Sequence, residues 1–173
     1  MDDPAAVRFT TVQKVRGLLV ASVVAWLLSL AAMFASAALF EAIKHAMSDG
    51  APALGELEDA TGWTLMGAVY LGLPAAMVVV LAVGFPAMRH AEKTGATAIR
   101  DAAVTGFIAG AIIGAAVALG VVLMQRPQAD GSLLKPLEWA KLAVDFAATL
   151  ATGFLTGLSA RLAAGRPRAP TAG

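Results

Sequence analysis

The sequence predicts an all-α integral membrane protein, a bundle of four transmembrane helices with both termini in the cytoplasm (N-in/C-in). Three observations carry this reading. Of 173 residues, 58% are hydrophobic and 14% charged, against roughly 45–50% and about 25% in a soluble domain. Four apolar runs, Gly17–Phe40, Thr64–Met88, Ala102–Met124 and Leu142–Leu162, each reach the length of about 20 residues that a helix needs to cross hydrocarbon. Lys and Arg are also distributed unevenly over the connecting segments. Nine lie in the two tails and the second loop (Arg8, Lys14, Arg16, Arg89, Lys93, Arg100, Arg161, Arg166, Arg168), and four in the first and third loops (Lys44, Arg126, Lys135, Lys141). The richer side is cytoplasmic.

Residues 1–16 form a cytoplasmic lead, with helix expected from Ala5 onward. The transmembrane domain covers residues 17–164, with helices at about 17–42, 64–88, 102–124 and 139–162. Residues 165–173, Pro- and Arg-rich, form a disordered cytoplasmic tail, whose Arg166 and Arg168 are placed to meet anionic headgroups. The first run ends in Ala35-Ser36-Ala37, a small-residue pattern of signal-peptide type. Its apolar stretch, about 18 residues, exceeds the usual 7–15, so it reads as a retained span. Trp63 and Trp139 precede the second and fourth runs, where an indole anchors at the outer interface. Pro74, in the middle of the second run, removes the bond to the Tyr70 carbonyl and predicts a kink there. Pro86 is expected to help end that helix.

Between helices in lipid, close van der Waals approach replaces the hydrophobic effect, so small residues at helical spacing mark contact faces. Ser22, Ala25, Ser29, Ala32 and Ser36 make a heptad seam on the first helix. Gly106, Gly110 and Gly114 make two overlapping GxxxG steps on the third, and Gly153 and Gly157 one on the fourth. Two uses are open for these glycines: packing within one bundle, or contact with a second copy through the third helix.

The fourth helix carries the chemistry. Glu138, Lys141, Asp145, Thr149, Thr152, Thr156 and Ser159 follow one another by three or four residues and fall within about 80° of one another on the helical wheel. A polar stripe on a spanning helix faces protein or water. Asp145 lies about 9 Å inside Trp139 by helical rise. It has Lys141 one turn outward as its partner. Two readings follow: a proton or cation site continued by the hydroxyls below it, or a satisfied ion pair whose threonines bond their own helix. Beyond this stripe, Tyr70, Thr105 and the first-helix serines are the only other polar groups positioned to meet Asp145.

No cysteine is present, which removes disulfides, thiolate nucleophiles and Cys-ligated metals. Glu41, His45 and Asp49 could form a ladder at the outer end of the first helix, but a solvated face explains them better than a metal. His90 is expected at the inner end of the second helix, about 30 Å away. No catalytic motif occurs in its structural context, and a net charge of +1 gives nucleic-acid binding no support. The expectation is a bacterial inner-membrane, non-enzymatic structural or accessory protein without cofactor or metal. Its partners are the lipid bilayer and a second copy or another membrane protein. The alternative is a small oligomeric transporter or proton/cation-conducting protein built on the fourth-helix stripe.

Overall fold

The computed structural model describes residues 8–47, 54–124 and 136–166; the side chains at 40, 41, 43–47, 54–67, 69, 136 and 137 lie outside that description. Four helices make up these residues: α1 Thr11–Met47, α2 Leu54–Thr94, α3 Ile99–Met124 and α4 Pro136–Ala164. Each contains a segment long and apolar enough to span a membrane.

The helices overrun the apolar runs, and local chemistry explains several of their ends. Helix α1 begins at Thr11 rather than at residue 17, because Thr10 and Gln13 form a capping box. The Gln13 amide donates to Thr10 Oγ1 at 3.2 Å, and the Thr10 amide donates to Gln13 Oε1 at 2.9 Å, which satisfies two amide donors at the start of the helix. Pro86 does not end α2. The helix continues to Thr94 with both Pro74 and Pro86 inside it, and stops where Gly95 adopts φ +71°, a left-handed C-terminal cap that glycine takes without strain. Helix α4 starts on Pro136, whose missing N–H is no loss at a first helical position, and ends at Gly165 with φ +76°.

The packed pairs are α3–α4, α1–α4 and α1–α2, so the helices run across the bundle in the order α2–α1–α4–α3. All three pairs are antiparallel. Gly17 of α1 faces Ala160 and Ala164 of α4, while Ser36 reaches Asp145. The register is therefore kept over 19 residues of α1, about 28 Å of helix axis.

Small residues set these approaches. A Cβ on Gly106 would collide with the Gly153 carbonyl oxygen, and one on Gly157 with that of Ala102. At Gly110 it would lie 2.7 Å from the Thr149 carbonyl oxygen, and at Gly114 2.8 Å from the Phe146 ring. Gly110 and Gly114 are buried. Since these glycines face α4 of their own chain, the same face is not open to a second copy. Of the first-helix seam, Ser22 and Ser36 are buried, whereas Ser29 is exposed.

Candidate functional site

The α4 stripe divides into an upper ion-paired part and a lower hydroxyl part. Glu138 sits in the first turn. One turn on, Lys141 Nζ donates to Asp145 Oδ2 at 2.6 Å. The other carboxylate oxygen, Oδ1, accepts from Ser36 Oγ of α1 at 2.5 Å. Of the groups positioned by sequence to meet Asp145, Ser36 does so. Tyr70 is 75% exposed, and Thr105 Oγ1 donates to the Asp101 carbonyl of its own helix at 2.8 Å. Lys141 and Asp145 remain 42% and 38% exposed, so the pair sits at the open end of the bundle.

Below it, Thr149 Oγ1 donates to the Asp145 carbonyl at 2.8 Å, and Ser159 Oγ to the Thr156 carbonyl at 2.9 Å. These bonds satisfy the hydroxyls within α4. Thr156 differs: its Oγ1 is buried without a hydrogen-bond partner. In α1, Ser22 and Ser29 likewise bond the carbonyls four residues back, of Leu18 and Ala25.

Thr149, Thr152 and Thr156 form one wall of a cavity of about 500 Å³ that all four helices line. Because α2 packs chiefly on α1 and α3 chiefly on α4, the α2 and α3 walls are not closed against each other. The lining is overwhelmingly apolar and small, with Gly72, Ala76 and Val83 from α2 and Ala102, Gly106 and Ala109 from α3. Trp26 of α1 joins it. Its indole lies 3.0 Å from where a Cβ on Gly72 would stand, and its Nε1–H donates to the Ala68 carbonyl at 3.0 Å. A half-buried indole is best satisfied by such an acceptor.

One end of the cavity is bordered by a polar network that the sequence did not announce. Phe9 is 6% exposed. Its amide donates to Glu92 Oε1 at 2.8 Å, and Lys14 Nζ donates to Glu92 Oε2 at 2.8 Å. The Arg161 guanidinium lies over the Phe9 ring at 5.2 Å, donates from Nε to the Thr97 carbonyl at 2.6 Å, and from Nη1 to the Gly165 carbonyl. Gln13 Nε2 donates to the Arg166 carbonyl at 2.9 Å. These contacts join the start of α1, the end of α2, the α2–α3 turn and the end of α4. The capping box at Thr10–Gln13 is the one sequence signal that could have extended α1 to this network.

The ladder at Glu41, His45 and Asp49 and the indole of Trp63 lie outside the described residues and side chains. Trp139 is half-exposed in the first turn of α4. Among the described residues no three His, Asp or Glu side chains converge as a metal site would require. Comparison with known protein families, curated proteins and solved structures gave no match.

Proposed function

We propose that the chain is a multi-pass protein of the bacterial inner membrane, with both termini cytoplasmic, that serves as a non-enzymatic structural or accessory component through helix–helix contacts. The engagement of Asp145 carries the reading. Both of its oxygens are taken by Lys141 and Ser36, so the one carboxylate on the fourth-helix stripe's membrane portion braces α4 against α1. The facing glycines of α3 and α4 are likewise spent on each other. What remains for another membrane protein or a second copy is the outer surface, such as Leu71 and Val78 on α2 and Ile112 and Leu119 on α3, all exposed. The Phe9 end, rich in Lys and Arg, is the cytoplasmic one by the charge rule. Purification in mild detergent from native membranes tests this. A stoichiometric membrane partner or a defined homo-oligomer is expected; recovery of a lone monomer overturns it.

A second reading is favoured by one observation: Thr149, Thr152 and Thr156 line the interior cavity, where hydroxyls could continue a proton or cation path from Asp145. Flux into proteoliposomes, compared for wild type and Asp145→Asn, separates the two. Flux that Asp145→Asn abolishes would establish conduction; no flux in either removes it.

A further inference from the structure

The cleft between α2 and α3 has properties that neither a static brace nor a helix interface requires. Its volume of about 500 Å³ lies within the roughly 300–1,000 Å³ of small-molecule sites. The cleft is thus of a size to take a small or chain-like molecule. Its walls are mostly alanine, glycine and valine.

The chemistry changes at the Phe9 end. Arg161 and Thr97 line the cleft there, and among the described residues Arg8, Lys14, Arg16, Arg89, Lys93, Arg100 and Arg166 belong to the same end of the bundle. Among the described residues the carboxylates at this end are Glu92, which Lys14 neutralises, and Asp101 on the cleft wall. This end of the bundle is therefore cationic as a whole, and Arg161 is the cation that reaches the cleft.

We propose that the cleft holds one anionic phospholipid, with an acyl chain between α2 and α3 and the phosphate at the Arg161 end. Two parts of the molecule meet their complements: hydrocarbon meets the apolar walls, and the phosphate meets Arg161 at the basic end of the bundle. Basic pockets between membrane helices capture anionic headgroups in this way. In the structure, two of the five guanidinium donors of Arg161 are used, at Thr97 and Gly165. The proposal is independent of the accessory role, since a partner could dock on the outer surfaces whether or not the cleft is filled.

Trp26 provides the probe because it lines the cleft. A Trp63→Phe/Trp139→Phe variant leaves it the sole indole of the three in the chain. Reconstituted in phosphatidylcholine vesicles, this variant is exposed to a minor fraction of phosphatidylglycerol with brominated acyl chains, or to the same fraction of brominated phosphatidylcholine. Phosphatidylglycerol is expected to quench Trp26 several-fold more effectively and to saturate at low mole fraction, with the preference shrinking as salt screens the basic end. Adding Ala76→Leu and Ala109→Leu, which fill the cleft, should abolish the preference. Equal quenching by both lipids, or a preference that survives the filled cleft, overturns the proposal. So does an indole shielded from both, which would mean that protein occupies the cleft. The comparison of headgroups and salt needs no change in the cleft wall, so it stands even if the filled variant fails to fold.

Discussion

Ser36 and Asp145, 109 positions apart, meet through a 2.5 Å hydrogen bond in which the hydroxyl donates to the carboxylate. The bond ties α1 to α4 at one end of their contact, while Gly17 against Ala160 ties them at the other. Interhelical hydrogen bonds in membranes average about 0.6 kcal/mol and reach about 1.7, and a charged acceptor favours the upper part of that range. Ser36→Ala is therefore expected to destabilise by about 1–1.5 kcal/mol in detergent unfolding. Lys141→Ala, which removes an exposed i,i+4 pair, should cost only about 0.3–0.5 kcal/mol. The double variant Ser36→Ala/Asp145→Asn should cost less than the sum of the singles. Strict additivity would mean that the two side chains do not act as a pair.

The glycines separate into two classes. Gly106, Gly110, Gly153 and Gly157 lie where a Cβ would meet the facing backbone, whereas Gly120 has open space around it. Gly106→Ala or Gly157→Ala should force α3 and α4 apart and cost about 1–3 kcal/mol. Gly120→Ala should be neutral or stabilise by up to about 1 kcal/mol, because it lowers backbone entropy in the unfolded chain at no steric cost. Equal effects at positions 106 and 120, measured by thermal unfolding in the same detergent, would contradict the close approach of α3 and α4.

How much of this was legible in the sequence depends on the range of the interaction. The four spanning segments follow from composition in windows of about 20 residues. The Lys141–Asp145 contact follows from i,i+4 geometry alone. The identity of the Asp145 partner on α1 does not, because a register between helices more than 100 positions apart is set by the summed packing of glycines and alanines. The overrun of α1 and α2 beyond hydrocarbon was hidden for a different reason. Hydropathy reports where lipid ends, while Lys14 and Glu92 stabilise helix past that point through each other. Trp26 looked like an ordinary apolar residue of the first run. Only the fold shows that its ring lies against Gly72.

Orientation rests on charge alone and yields a direct expectation. Reporters active in only one compartment, fused at Met1 and at Gly173, should both signal from the cytoplasm. Replacing Arg89, Lys93 and Arg100 of the second loop with Gln reduces the cytoplasmic count from nine to six against four. It should give a mixed population detectable with the same reporters. Opposite signals from the two ends of the unmodified chain would mean an odd number of spans.

Glu92 makes the most exacting prediction, because among the described residues it links the start of α1 to the end of α2 by hydrogen bonds. It accepts the Phe9 amide and the Lys14 ammonium on separate oxygens at 2.8 Å each, with side-chain exposures of 13% for Glu92 and 20% for Lys14. Glu92→Ala leaves an amide and a largely buried cation unpaired, at about 2–4 kcal/mol. Glu92→Gln keeps an acceptor for the amide and loses only the charge. Glu92→Gln with Lys14→Met removes both charges and should recover most of the loss, since the cost comes from the unpaired partner. Amide hydrogen exchange at Phe9 reads this directly. Exchange should be slow in the wild type, fast in Glu92→Ala and intermediate in Glu92→Gln. If the Phe9 amide exchanges equally fast in all of them, Glu92 does not hold Phe9 beneath the cavity in solution.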